Sequence, residues 1–220
     1  MAARQVHHGD GLAWLEEHEL GQEHAVVTSL PDLSELPALD FEAWRRWFVE
    51  TATLIGSRLH PEAVAIFYQT DIKHDGRWID KAHLVQRGAE EAGLGCLWHK
   101  IVCRKEPGTT TFGRPAYGHW LAFSRELRLS AAASTPDVLP ELGRMTWSRA
   151  MPMTAAVASC VFLKAHTRCR VVVDPFCGRG TILAVANDHG LDAIGVELSR
   201  KRARKARGMT LHPEREASRS

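Results

Sequence analysis

The stretch Val171-Val172-Val173-Asp174-Pro175-Phe176-Cys177-Gly178-Arg179-Gly180-Thr181, continued by ILAVANDHGLDAIGVE as far as Glu197, decides the fold. Three β-branched residues make an apolar strand that runs into a glycine-rich loop. A helix is predicted to begin near Thr181, and Ala193–Val196 forms a second strand that delivers Glu197. Gly178 and Gly180 admit positive φ and let the backbone come close to a ligand. The helix that follows points its open N–H groups back at that ligand. An acid closing the second strand, about 20 residues beyond the glycines, stands where a carboxylate accepts bonds from ribose hydroxyls. A dinucleotide site would show G-x-G-x-x-G, and its third glycine position is Leu183 here. The spacing therefore predicts a nucleoside-type ligand and excludes the usual NAD fingerprint.

At 220 residues the chain is long enough for one sizeable core. Its 45% hydrophobic and 25% charged residues are ordinary for a globular protein. No apolar run approaches the ~20 residues of a membrane span. The N-terminal MAARQVHHGDG lacks the apolar stretch of a secretory signal, so a cytoplasmic protein without a membrane partner is expected. The five cysteines (Cys96, Cys103, Cys160, Cys169, Cys177) are odd in number and form no C-x-x-C pair, which suits a reducing compartment. The 12 histidines are scattered without paired ligand spacing, and no metal is expected.

Short apolar runs alternate with helical patterns along the whole chain, the signature of an α/β sheet. Strands are predicted over Gln5–His8, His24–Ser29, Ala63–Tyr68, Leu97–Cys103, His119–Phe123, Val171–Val173 and Ala193–Val196. Helices are predicted over Gly11–Leu20, Phe41–Leu59, Lys81–Ala92 and Thr154–His166, near Thr181, and through the basic run after Glu197. The expectation is one doubly wound domain with about seven strands, spanning residues 1–208. Within it, 129–150 reads as a linker and possible substrate loop between halves at 1–128 and 151–208, and 209–220 reads as a frayed tail. Oligomeric state, monomer or homodimer, is left open.

Net charge is only +2, yet in Arg200–Arg207, RKRARKAR, six of eight residues are basic. Such a run is either a solvated face with cations near a helix C-terminus or a stripe that contacts phosphates.

Taken together, D-P-F-C-G-R-G-T and I-G-V-E resemble the cofactor motifs of class I S-adenosylmethionine-dependent methyltransferases. The likeness is to members that methylate amino groups of nucleic-acid bases. The resemblance implies a Rossmann-like sheet and S-adenosyl-L-methionine as cofactor. It places Asp174, Phe176, Gly178 and Gly180 around the methionine end and Glu197 at the ribose, with Thr28, Pro175, Thr181 and Leu198 as further contacts. His8-Gly9-Asp10-Gly11 is similar to the segment that sets an acid, here Asp10, by the adenine amino group; Asp10 is also a natural cap for the helix that follows. Trp78-Ile79-Asp80, Trp98-His99-Lys100 and Gly113-Arg114-Pro115-x-Tyr117-x-His119 follow the family's later order. That order, catalytic loop first and glycine loop last, is the order of the circularly permuted (beta) class.

Val26-Val27-Thr28-Ser29-Leu30-Pro31-Asp32 occupies the place of the family's V-V-T-S-P-P-Y catalytic loop, so the resemblance assigns catalysis to Ser29, Leu30, Pro31 and Asp32. Ser29 and the carbonyl of Leu30 would accept the hydrogens of the target amino group. Two positions depart from the pattern: Leu30 replaces the first proline, and Asp32 replaces the aromatic that stacks on the base. A carboxylate has no π-face, although it can accept a proton or hydrogen bond. Either Phe112 or Tyr117 supplies the ring, or the target is not the usual amino group; the other reading is that Pro31-Asp32 simply makes a turn before the next helix. Trp98, Trp120 and Trp147 read as core.

Duplex DNA enzymes flip a base out and usually carry a recognition domain, for which this chain has little room. A structured RNA, tRNA or rRNA, is therefore the expected partner. Arg114, Tyr117, Arg200, Lys201 and Arg204 are the candidate substrate contacts, and Arg45 and Arg46 would meet phosphates. The alternatives are a DNA adenine-N6 or cytosine-N4 methyltransferase, an enzyme acting on a protein or small molecule, and a non-catalytic binding member of the fold.

Overall fold

The computed structural model describes residues 2–211. Most of the expected tail, residues 212–220, lies outside the described residues. The expected strands all form: β1 (Arg4–His8), β2 (His24–Thr28), β3 (Ala65–Gln69), β6 (Gly95–Cys103), β7 (Tyr117–Ser124), β9 (Val171–Asp174) and β10 (Asp192–Glu197). Three more were not foreseen: β4 (Ile72–His74) and β5 (Arg77–Ile79), a separate hairpin, and β8 (Val138–Leu139). The helices are α1 (Gly11–Glu17), α2 (Phe41–Arg58), α3 (Lys81–Glu91), α4 (Met153–His166), α5 (Thr181–Asp188) and α6 (Arg200–Arg207).

Side-chain alternation on the strands explains why the sheet is covered on both faces. Ala25 and Val27 of β2, Ile66 and Tyr68 of β3, and Val172 of β9 pack with α4, α5 and α6. Val26, Ala65, Phe67 and Val173, each one residue out of step, pack with α1, α2 and α3 on the other face. α2 shows how the sequence arranges this. Asp40 accepts from the N–H of Ala43 at 2.8 Å to start the helix. Trp44, Phe48, Thr51, Ala52 and Ile55 then recur at helical spacing and are buried.

The sheet has eight strands in the order β1-β10-β9-β2-β3-β7-β6-β8. Neighbours are parallel except at β3–β7 and β7–β6. From β9 the chain crosses through α5 to β10 on one side, and from β2 through α2 to β3 on the other. Between β9 and β2 the winding reverses, and a crevice opens at the C-terminal ends of these strands, where open α/β sheets bind ligands. The first and last strands are neighbours: β1 pairs with β10 from Arg4↔Ala193 to His8↔Glu197. The Arg207 guanidinium donates to the Val6 carbonyl at 2.8 Å and fastens α6 to β1.

The segment 129–150, expected as a linker, is built into the structure. Its β8 adds to the sheet edge beside β6, with Ile101↔Val138 and Val102↔Leu139. It then crosses the crevice: Thr146 and Thr181 share a hydrogen bond of 2.6 Å, and Arg149 pairs with Glu35 at 3.0 Å. Among the described residues, no helix is long and apolar enough to cross a membrane.

Candidate active site

The crevice is a cavity of about 650 Å³. Its walls come from the β1–α1 corner, the loop after β2, the end of β3, the start of α3, the crossing segment at 142–152, the glycine loop and the end of β10.

On the glycine-loop side, Asp174 is 5% exposed, and its Oδ1 accepts from the Thr28 hydroxyl at 2.7 Å and the Phe176 N–H at 3.0 Å. Burial pushes its carboxyl up to about 7; the two hydrogen bonds oppose this and the charge of Glu197 adds to it. Glu197 Oε1 accepts from the Ser199 N–H at 2.7 Å and from Arg202 at 2.8 Å. Asp10 lines the cavity while its Oδ1 caps α1 through Leu12 N–H at 2.7 Å, so both of its expected roles are compatible. Pro175, Phe176, Gly178, Thr181 and Leu198 also line the cavity.

Gly180 does not. It is left-handed, with φ 82°, and a Cβ there would lie 2.9 Å from the Ala206 Cα. Its lack of a side chain serves the close approach of α6, not a ligand. Gly178, with φ 57°, faces Trp147, whose ring a Cβ would meet at 3.0 Å. Trp147 was expected in the core and instead lines the cavity, with the Arg179 guanidinium 4.9 Å from its ring centroid. Trp98 and Trp120 do pack together, at 4.3 Å between ring centroids.

On the opposite wall lie Ser29, Leu30, Pro31 and Asp32. Ser29 Oγ is buried without a hydrogen-bond partner among the described residues. Leu30 puts its side chain into the core, and the Pro31 carbonyl accepts from the Trp44 indole at 3.2 Å. Asp32 does more than turn the chain. One carboxylate oxygen pairs with Lys81 and the other with Arg114. Burial alone would raise the Asp32 carboxyl, but the two cations outweigh it and hold it below the usual carboxylate range. Burial lowers the Lys81 ammonium, opposed by Asp32. A carboxylate so engaged is a poor proton acceptor at neutral pH.

Among the lining residues that were missed from sequence, three bear on the chemistry. Gln69, at the end of β3, is 1% exposed, and its Nε2 has no hydrogen-bond partner among the described residues. Tyr68 adds a ring, and Lys81 a charge. A buried strand end and a helix start carry no local pattern that marks them as site residues. Arg202, in the basic run, also lines the cavity, whereas Arg200, Lys201 and Arg204 lie on the exposed face of α6 away from it. Tyr117 and Phe112 are outside the cavity lining, whereas Arg104 and Arg114 of the same loop reach in. Arg45 is paired with Glu42 at 3.3 Å on α2.

A second polar cluster links the end of β3 to β7 and β6. Asp71 pairs with His119 at 3.1 Å, and the His119 ring bonds that of His99 at 2.9 Å. Asp80 joins Asp71 and His119 with ligand atoms within 4.8 Å of one another, a grouping that could hold a metal ion although none was expected.

No protein-family model matches this sequence, and no curated protein matches it. Solved structures do. A presumed DNA modification methylase from Thermus thermophilus, complexed with S-adenosyl-L-methionine, superposes with a TM-score of 0.67 at 21% identity over 92% of this chain and 91% of its own. The PvuII DNA methyltransferase, cytosine-N4-specific, gives 0.66 at 16% identity over 99% and 90%. The M1.HpyAVI complex with S-adenosylmethionine gives 0.63 at 11% over 93% and 98%. The chain has the methyltransferase fold.

Proposed function

We propose that this chain is an S-adenosylmethionine-dependent methyltransferase acting on an exocyclic amino group of a nucleic-acid base, in DNA rather than RNA. The observation that carries this reading is the meeting of two loops in one cavity. Asp174, Phe176 and Gly178 stand on one wall, with Ser29 and Leu30 facing them. Glu197 retains Oε2 beside the Oε1 bonds already described, and Asp10 lies one strand away; these fit a ribose and an adenine. We also infer a circularly permuted order, in which the half at 1–128 supplies the acceptor wall, the half at 151–208 the cofactor wall, and 129–150 the segment across them.

Bound there, S-adenosylmethionine supplies an electrophilic methyl group. The protein must hold the amino nitrogen in line with that group, which is where orientation contributes most. Ser29 Oγ and the Leu30 carbonyl accept hydrogen bonds from the amino group and release the nitrogen lone pair from the ring; the proton that the methylated nitrogen sheds passes to solvent. The Gln69 amide donates to a ring nitrogen or carbonyl of the same base, which would otherwise lose a partner on leaving water. Asp32, fixed between Lys81 and Arg114, braces the loop; Tyr68 and Trp147 offer the rings that the Asp32 position lacks.

DNA is preferred to the RNA expected from chain length because the two neighbours named for DNA are matched over nine-tenths or more of their own length. A short chain therefore does not argue against DNA. The test is transfer of labelled methyl from the cofactor to duplex DNA, single-stranded DNA and RNA, followed by mass spectrometry of the nucleosides. N6-methyladenine or N4-methylcytosine in DNA is the expected product. Label in RNA alone would reverse the choice of polymer, and no label in any nucleic acid would overturn the reading.

A further inference from the structure

We propose that the β4–β5 hairpin and the loop at 104–116 form a stacking platform for unpaired nucleotides flanking the target base. This rests on the reading of the cavity as a nucleic-acid methyltransferase site.

The hairpin turns at Asp75-Gly76, both with positive φ, the geometry that twists two strands together. Alternation then sorts its side chains. Ile72 and Ile79 are partners across the ladder and pack inward against the core. Lys73 and Trp78, the next pair, face the other way. There the Lys73 ammonium lies 5.2 Å from the Trp78 ring centroid and 4.4 Å from that of Phe112, which the loop brings across.

Trp78 is 47% exposed and Phe112 83%, a large apolar surface for two adjacent rings to leave in water. A cation between two open rings suits a polyanion whose bases stack and whose phosphates need neutralising, because base–aromatic stacking tolerates any sequence. The position fits as well. Phe112 stands two residues before Arg114, which reaches Asp32 on the cavity wall. An enzyme that extracts a base leaves its neighbours unpaired beside the opening, and the Arg114–Asp32 pair ties the Phe112 loop to the cavity wall.

The experiment measures fluorescence anisotropy of a labelled single-stranded DNA oligonucleotide and of the same sequence as a duplex. It uses the whole chain and the double variant Trp78→Ala/Phe112→Ala, with labelled-methyl transfer measured alongside. The double variant is expected to bind the single strand at least about tenfold more weakly, and the strand to quench tryptophan fluorescence less in the double variant than in the native chain. Trp78→Phe, which retains a ring, should retain most of the affinity. Cofactor binding by calorimetry should be unchanged in both variants, which controls for folding. Unaltered affinity in the double variant, or tighter binding of the duplex than of the single strand, would overturn the platform while methyl transfer to DNA left the enzymatic reading intact. Absence of methyl transfer would overturn that reading instead.

Discussion

The Thr28 hydroxyl donates to Asp174 Oδ1 at 2.7 Å across 146 residues of sequence. This bond joins the ends of β2 and β9 at the point where the sheet reverses its winding. It also joins the catalytic-loop candidate to the glycine-loop candidate: Thr28 is followed by Ser29 and Asp174 by Pro175. The bond adds a buried side-chain link to the β2–β9 ladder that holds the two walls of the cavity in register.

The buried Asp174 gives a pH dependence of definite sign. Its carboxyl sits at about 7 in the folded chain, above the ordinary 3.8. Between those values the native state holds a proton that the unfolded chain has released. This group's contribution to stability is therefore greatest at acid pH and declines by about 1.4 kcal/mol per unit as pH rises, levelling off above 7. Asp174→Asn keeps an oxygen for Thr28 and Phe176 and removes the titration. Urea midpoints from pH 5 to 8 should show a flatter profile for the variant than for the native chain. Cofactor affinity should run the other way and rise with pH, since the ionised carboxylate favours a cationic ligand.

Ser29→Ala should reduce methyl transfer about a hundredfold. Stability should stay within about 0.5 kcal/mol of the native chain, because no hydrogen bond of the Ser29 hydroxyl is lost. Single-turnover transfer and thermal melts measure the two quantities separately. A melt lowered by several degrees would mean that Ser29 is structural.

Removing Asp32 alone strands the buried Lys81 charge. Asp32→Leu should cost about 3–5 kcal/mol in denaturant titrations. Adding Lys81→Met to it should recover most of that loss, since the double variant no longer leaves the Lys81 charge without Asp32. Arg114→Ala, at a side chain 44% exposed, should change stability by less than about 1 kcal/mol.

The two loop glycines should separate by phenotype. Gly180→Ala meets the α6 backbone and a left-handed φ, so it should destabilise by about 1–3 kcal/mol. Gly178→Ala shares the positive φ but meets only the Trp147 ring, which borders the cavity. Its larger effect should be on cofactor affinity, read by calorimetry against the melting temperature.

Strand alternation and helical spacing made most elements legible, and the doubly wound architecture with them. The hairpin was not foreseen, although His74-Asp75-Gly76-Arg77 carries a two-residue turn signal between its short strands. β8 was not, because a two-residue strand such as Val138–Leu139 has no periodicity to read. In the site, the glycine loop and Glu197 were legible because their chemistry is local and consecutive. The partners of Asp32 and the place of Trp147 were not legible for one reason: what each side chain does depends on residues far along the chain.

The sequence by itself determined the elements, their two-sided burial and the loop suited to a nucleoside, since these follow from dihedral preferences and alternating apolarity within a few residues. Only the tertiary structure decided that Gly180 serves helix packing, that Asp32 is held between Lys81 and Arg114, and that Gln69 is left with an unpartnered amide at the cavity. Those roles arise from distances between segments, and burial and charge at such contacts are properties of the packed fold.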